Sequence, residues 1–292
     1  MKKSLLFLLF FFSVFGVFSQ AGISVSGLVE WDTLRFNAQV SLDLASAGLR
    51  LPAGRTHGET LLAAGFHDNI RPYLMDLQVD SSTTIGDLVY RGELDLREID
   101  AIILGATSVP PALSPDLHQI SSSHTISLLN FNNTLLRHSR LTPIIRTLNP
   151  VSTASYTGII IIATDILPIH GMRNTALPIP CLFPKIWDSE MNLIYERSML
   201  EAHNIPIVRY SSASNIFQNN PTGLSPELRE IVGDRPLRIF AQGVFGIKPT
   251  DLIIDQSDAL LIISSGENRR LLSQGRIVII LDESVLRYEF TR

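Results

Sequence analysis

Between Leu34 and Leu44 the apolar residues Leu34, Phe36, Ala38, Val40, Leu42 and Leu44 alternate with Arg35, Asn37, Gln39, Ser41 and Asp43. A period of two sends the two sets to opposite faces of a pleated chain, so the stretch is expected as a strand with one face buried. Leu28 to Trp31 lies close enough upstream to form the other arm of a hairpin. Ala47-Gly48 and Pro52-Ala53-Gly54 then break the alternation. From Thr56 to about Leu77 the pattern changes. Leu61, Leu62, Ala64, Phe66, Ile70, Tyr73, Leu74 and Leu77 suit one face of a helix, with Pro72 as a kink or a restart. Val79-Asp80-Ser81-Ser82 marks the exit from it. A second helix is expected around Thr84 to Tyr90, capped by Thr83 or Thr84, and a third around Leu94 to Leu104. Pro110, Pro111 and Pro115 read as a loop, and Ser123 to Phe131 as a further strand.

The stretch from Leu141 to Tyr156 is rich in Pro, Ser and Thr and has no apolar period, which makes it the expected boundary between two subregions, 22–150 and 151–292. Past it, Thr157-Gly158-Ile159-Ile160-Ile161-Ile162-Ala163 is apolar on both faces and β-branched, the signature of a strand in the middle of a covered sheet. Lys185 to Asp188 and Leu193 to Tyr195 read as a short hairpin turning at Ser189 to Asn192. Leu237 to Val244 reads as a strand, Lys248 to Ile254 as a connection and Ser257 to Gln274 as a helix with its approaches. Ile277-Val278-Ile279-Ile280-Leu281 repeats the Ile159 to Ile162 type, so the two runs are expected to share one sheet. The fold class that follows is α+β: a mixed sheet with two buried Ile-rich central strands and flanking helices.

The first 21 residues stand apart from this pattern. Lys2 and Lys3 precede an apolar run of about 14 residues, Leu5 to Phe18, and the small residues Ser19 and Ala21 follow it. That layout predicts a secretory signal peptide cleaved after Ser19 or Ala21. The run falls short of the roughly 20 residues a membrane-crossing helix needs. No cysteine follows it to carry a lipid, and the mature chain has no other run of membrane-spanning length. The expected location is the periplasm or the outer membrane. Loss of Lys2 and Lys3 moves the formal charge of the chain from −4 to −6, which gives nucleic acid no electrostatic footprint. The full sequence is 45% hydrophobic, and the roughly 270 residues left after cleavage are long enough to bury a real core.

Few residues carry chemistry that spacing alone can expose. Cys181, the single cysteine, cannot form an intramolecular disulfide, and no activating base lies near it in sequence, so it is expected to be buried and inert. Phosphate-loop, dinucleotide, zinc-protease and nucleophile-elbow motifs are absent. Gly243-Val244-Phe245-Gly246 reads as a turn at a strand end. His118 and His124 lie on a loop and a strand, too far apart in pattern to define a metal site. Asp165, and Asp282 with Glu283, follow the two buried strands, where catalytic acids are common in open sheets but where turn caps are commoner. No catalytic, cofactor or metal residue is therefore assigned. A hydrolase built on Asp165 or Asp282 stands as the alternative, and a module that binds a small ligand as a third reading.

Taken in order, Tyr156-Thr157-Gly158-Ile159-Ile160-Ile161-Ile162-Ala163, Phe183-Pro184-Lys185-Ile186-Trp187-Asp188, Leu193-Ile194-Tyr195, Pro236-Leu237-Arg238-Ile239-Phe240-Ala241-Gln242-Gly243-Val244, Asp258-Ala259 and Arg276-Ile277-Val278-Ile279-Ile280 resemble exported bacterial envelope proteins of the FlgP and FlgT type. The resemblance spans about residues 156 to 282 and implies a non-enzymatic, flagella-associated or other envelope assembly role. The partners it implies are other envelope proteins or further copies of the chain. It implies no cofactor and carries over no catalytic residue.

Deleting residues 2 to 19 should leave the protein in the cytoplasm, because the apolar run is the one export signal in the sequence. Cell fractionation and blotting measure this, and recovery of the shortened form from the periplasm would contradict it.

Overall fold

The computed structural model describes residues 22–137, 141–201 and 208–291; the expected signal peptide, residues 1 to 21, lies outside them. The alternating stretch does form a hairpin. β1 (Ile23–Glu30) and β2 (Arg35–Asp43) pair antiparallel, from Ile23 opposite Leu42 to Glu30 opposite Arg35. Phe36, Ala38, Val40 and Leu42 are buried while Arg35 and Gln39 are exposed, as a period of two requires. Helix α1 (Gly54–Met75) covers the buried face through Leu62, Phe66, Ile70 and Leu74, with Pro72 inside its last turn. A two-rung hairpin, β3 (Gln78–Asp80) and β4 (Thr83–Thr84), follows. Helices α2 (Ile85–Tyr90) and α3 (Leu96–Leu104) each begin with a reciprocal cap, Thr84 with Asp87 and Asp95 with Glu98. These caps satisfy N–H groups that the first turn leaves without partners.

The proline-rich stretch expected as a loop is instead a strand, β5 (Thr107–Leu113), paired with β6 (Gln119–Ser127). Proline has no N–H to give a ladder, and β5 avoids the loss by lying at the sheet's edge, with a register shift between Val109 and Ala112 that takes up Pro110 and Pro111. The chain leaves β6 earlier than its sequence suggests, because Leu128–Phe131 is a 3-10 turn leading into α4 (Asn132–Leu135).

Beyond the irregular stretch 141–158, β7 (Ile159–Ala163) is buried at every position, as is β15 (Ile277–Leu281). Between them come a small hairpin, β8 (Leu167–Pro168) with β9 (Thr175–Ala176), and then β10 (Ile186–Asp188), β11 (Leu193–Tyr195), β12 (Arg209–Ser211), α5 (Pro226–Val232), β13 (Leu237–Phe245), β14 (Asp251–Ile254), α6 (Gln256–Ile263) and α7 (Gly266–Ser273). Two readings change here. The connection expected at Lys248 to Ile254 contains β14, held between β13 and β10 and buried at all four positions. The single helix expected over Ser257 to Gln274 is two, because Ser265 accepts hydrogen bonds from the N–H groups of Glu267 and Asn268 and starts α7 afresh.

The chain closes with β16 (Arg287–Thr291), which crosses back to pair with β1. The first sheet is thus ordered β16-β1-β2-β6-β5 and the second β11-β10-β14-β13-β7-β15-β12. In the second, β7 and β15 are parallel neighbours, with Ile277 opposite Ile159 and Leu281 opposite Ala163. With seven α-helices among the described residues and both antiparallel and mixed sheets, the fold is α+β.

Alternate side chains of the two Ile-rich strands enter different cores. Ile159, Ile161, Ile277 and Ile279 join the large core that takes in α6, α7 and the first sheet. Ile160, Ile162, Val278 and Ile280 meet Ile216, Leu224, Leu228 and Val232 on the other side. Both faces of the pair are covered, so neither strand can shed a charge to water.

An ion placed at Ile161 or Ile279 would be buried and unpaired, at a cost of several kcal/mol, against a total stability of about 5–15 kcal/mol for a domain. Ile161→Asp and Ile279→Asp should each abolish folding, whereas Ile161→Val should cost about 0.5–1.5 kcal/mol. Urea or thermal melts of the mature protein distinguish them. Melting of Ile279→Asp within a few degrees of the parent would show that β15 is not enclosed.

Candidate interaction surface

The acids singled out in the sequence sit at one end of the second sheet, just past the carboxyl ends of its interior strands β7 and β15, which pair with each other. Their surroundings differ. Asp282 caps the 3-10 turn Glu283–Val285 by accepting from the N–H and hydroxyl of Ser284, and these bonds hold its carboxyl below the usual range. Asp165 and Glu283 are exposed. Cys181 is fully buried; burial first, and then the nearby charge of Asp251, push its thiol far above its ordinary pKa, so it stays protonated and a poor nucleophile. His118 is exposed on the β5–β6 turn. His124 faces the other way, stacked on Phe66 at 3.6 Å between ring centres with Nε2 2.9 Å from the Ser122 hydroxyl. Burial lowers the pKa of His124. Among the described residues no group of three or more His, Cys, Asp or Glu side chains could hold a metal ion.

The acid with the strongest environment was not legible as such in the sequence. Asp251 opens β14 with none of its surface exposed. Its carboxylate accepts from the Ser81 hydroxyl at 2.8 Å, the Lys185 N–H at 3.2 Å, the Thr250 hydroxyl at 3.3 Å and Trp187 Nε1 at 3.4 Å. Burial raises its pKa in spite of these donors. Ser81 belongs to the β3–β4 turn, so this network ties the first part of the chain to the second sheet. The same hairpin is gripped through its backbone: Leu182 N–H donates to Gln78 C=O at 3.0 Å, Phe183 N–H to Val79 C=O at 2.7 Å and Lys248 N–H to Ser81 C=O at 3.0 Å. Lys185 Nζ stands 3.5 Å from Asp80. Burial works against the Asp80 charge, but the Ser82 N–H and Lys185 outweigh it and keep its carboxyl low.

Glycines at the end of β13 make room for this joint. Gly246 has φ +109°, and a Cβ there would lie 2.2 Å from Ser81 Cβ. Gly243 lets Pro168 of β8 run close, where Ile169 bridges to Val244. The pair thus serves turn and packing geometry, as its spacing suggested.

Beside the joint lies a cleft of about 580 Å³. Trp31, Phe36 and Tyr73 form its apolar wall, Gln78 and Lys248 its polar side, and Tyr288 of β16 its exposed lip. β16 is pinned along this cleft by Phe290, which stacks on Phe36 at 4.9 Å and packs on Tyr73 at 4.4 Å. It also lies over Gly27, where a Cβ would stand 2.3 Å from the Phe290 ring. A second depression, about 570 Å³, lies far from these groups beside Pro221, Leu224 and Arg229; Arg229 is already paired with Asp234.

The class of protein this arrangement defines is an α+β fold in which an antiparallel sheet and a mixed sheet are locked together by a buried polar joint and by the return of the last strand. Residues 22–134 match the family described as Treponema pallidum Tp0624, N-terminal domain, and residues 158–283 match the one described as Treponema pallidum Tp0624, second domain. The chain is thus similar to those two domains, in that order along the sequence. No curated protein matches it. No described helix is long and apolar enough to cross a membrane.

The raised pKa of Asp251 has a definite sign. From the ordinary value of 3.8 upward, the unfolded chain releases this proton while the folded protein retains it, so acid favours the fold. That contribution is complete below 3.8 and is lost as the pH rises through the raised value. Asp251→Asn cannot ionise and should lack this part of the pH dependence, so its stability relative to the parent should improve as the pH rises over that window. Urea melts across the acid range measure it, and parallel curves for the two proteins would mean that Asp251 titrates normally when folded.

Proposed function

We propose that the chain is an exported, non-enzymatic interaction protein of the bacterial periplasm or outer membrane, part of a flagella-associated or other envelope assembly. Its working surface is the outer edge of β16, which pairs with no further strand among the described residues, with the adjoining aromatic cleft. The observation that carries this reading is the different treatment of the two edges of the first sheet. β5 is blocked by Pro110 and Pro111 and its register shift. β16 has no proline, its Arg287, Tyr288, Glu289 and Thr291 are exposed, and it borders the cleft. A free edge offers backbone N–H and C=O groups to an extended segment, and an apolar cleft beside it can take that segment's side chains. The hydrolase alternative rests on Asp165 and Asp282. It is the weaker reading because Asp282 is committed to capping its turn.

Asp165→Asn and Asp282→Asn should each leave the cellular function largely intact, and a tagged protein should fractionate with the envelope, the flagellar case being separated by comparing cells with and without basal bodies. If either acid substitution abolished function while the protein stayed folded and abundant, the hydrolase would become the better reading.

A further inference from the structure

The β16 edge carries information about which strand it accepts. Trp31 N–H donates to Leu286 C=O at 2.9 Å, which makes Trp31 and Leu286 a hydrogen-bonded pair of the antiparallel ladder. Such pairs alternate with non-bonded ones. In the register that sets Glu30 opposite Arg287 and Val29 opposite Tyr288, it follows that Tyr288 and Phe290 turn their backbone groups to β1. Arg287, Glu289 and Thr291 turn theirs outward, to the open edge. The side chains of Arg287 and Glu289 lie two residues apart on the same face, one positive and one negative, and the ion-pair partner of Arg287 among the described residues is a distant, half-buried Asp32 at 4.0 Å.

We propose that this edge pairs with the same edge of a second copy of the chain, the two β16 strands running antiparallel about a two-fold axis at Tyr288. The proposal rests on the reading of β16 as the working surface and names its occupant. A two-fold axis perpendicular to the joined sheet must pass through a residue that meets its own copy. At Tyr288 it sets Arg287 directly opposite the second copy's Glu289, and Glu289 opposite its Arg287. These are also the residues whose backbone groups face outward, so each pair is both hydrogen-bonded and oppositely charged. An axis at Arg287 or at Glu289 would instead set like charges face to face. The charge pattern of the edge thus selects one register, and two five-stranded sheets become one of ten strands with both inner ends closed.

Sedimentation of the mature protein tests it. The parent should dimerise, while Arg287→Glu and Glu289→Arg, each setting two like-charge pairs across the axis, should self-associate about tenfold or more weakly. An equimolar mixture of these two variants should dimerise again, because every pair across the axis becomes opposite in charge. Cross-linking gives the register independently. At the axis the two copies of residue 288 form a non-bonded pair with Cα atoms about 4.5 Å apart, within disulfide reach, so Tyr288→Cys should oxidise to a covalent dimer. The native Cys181 is buried and leaves the product unambiguous. Thr291→Cys should not cross-link, since its two copies would be about 20 Å apart along the strands. A monomeric parent, no rescue on mixing, or cross-linking at 291 rather than 288 would overturn the self-pairing. If a photo-cross-linker at Tyr288 then captured a different envelope protein, β16 would remain the working surface with another occupant; if it captured nothing while the protein was active, that reading would fall as well.

Discussion

The rest of the molecule is arranged around one requirement: two adjacent parallel strands, β7 and β15, have no polar face and must be covered on both sides. One side is closed by α6, α7 and the core shared with the first sheet, the other by α5 and the turn through Ile216 and Leu224. Burying an isoleucine side chain is worth about 1.5–3 kcal/mol, so a pair of strands that buries every position supplies a large fraction of the driving force and tolerates no misplacement. Because one cover is provided by the first part of the chain, the two sheets are held by a single continuous core. The sharp return from β15 into β16 over the Asp282-capped turn adds a covalent route for the same union.

What the sequence made legible was whatever depended on local period. The β1–β2 hairpin, α1, the cap of α2 and the buried character of each Ile-rich run follow from residues within a few positions of one another, and the pairing of the two runs was read from their likeness. The misreadings share a different cause. Pro110 and Pro111 forbid an interior strand but not an edge one, and edge position is a property of the whole sheet. Leu252-Ile253-Ile254 is too short to separate a strand from a connection until β13 and β10 are seen on either side of it. β16 mixes Arg287, Tyr288, Glu289, Phe290 and Thr291 in an alternation only five residues long. Its partner β1 lies some 260 residues away in the chain, which no local pattern can reveal.

The same distinction separates the acids. Asp165 and Asp282 drew notice because they follow buried strands, a position readable from sequence. Asp251 opens one, and its neighbours Ser81 and Trp187 come from positions 170 and 64 residues away. A signal was present in retrospect: a lone carboxylate directly heading an apolar run must find donors or lose its charge. Here it finds donors on the β3–β4 turn, which is how a buried acid comes to mark a joint. Removing one donor would leave the others to carry the charge, while removing the carboxylate would leave the Ser81 hydroxyl and Trp187 Nε1 without an acceptor in a closed space. The asymmetry makes the acid the keystone of that contact and its donors the lesser part.

An edge strand is costly to leave open, because its outward backbone groups will pair with any extended chain that reaches them. The first sheet closes one edge with prolines and a register shift, which shows that the fold has the means to do so. At the other edge it instead places a strand whose anchoring residue, Phe290, is fixed by Phe36, Tyr73 and the bare surface of Gly27, while its outward residues remain exposed. A strand that served only to finish the sheet would need no such rigid seat. Rigidity lowers the entropy lost when a second strand docks, so a firmly held edge with alternating charges is a better template than a loose one. The two opposite charges then restrict which strand fits, since a uniformly acidic or basic segment would meet one of them as a like charge. The proposed self-pairing satisfies both, and it would centre on the same residue, Tyr288, that forms the lip of the cleft.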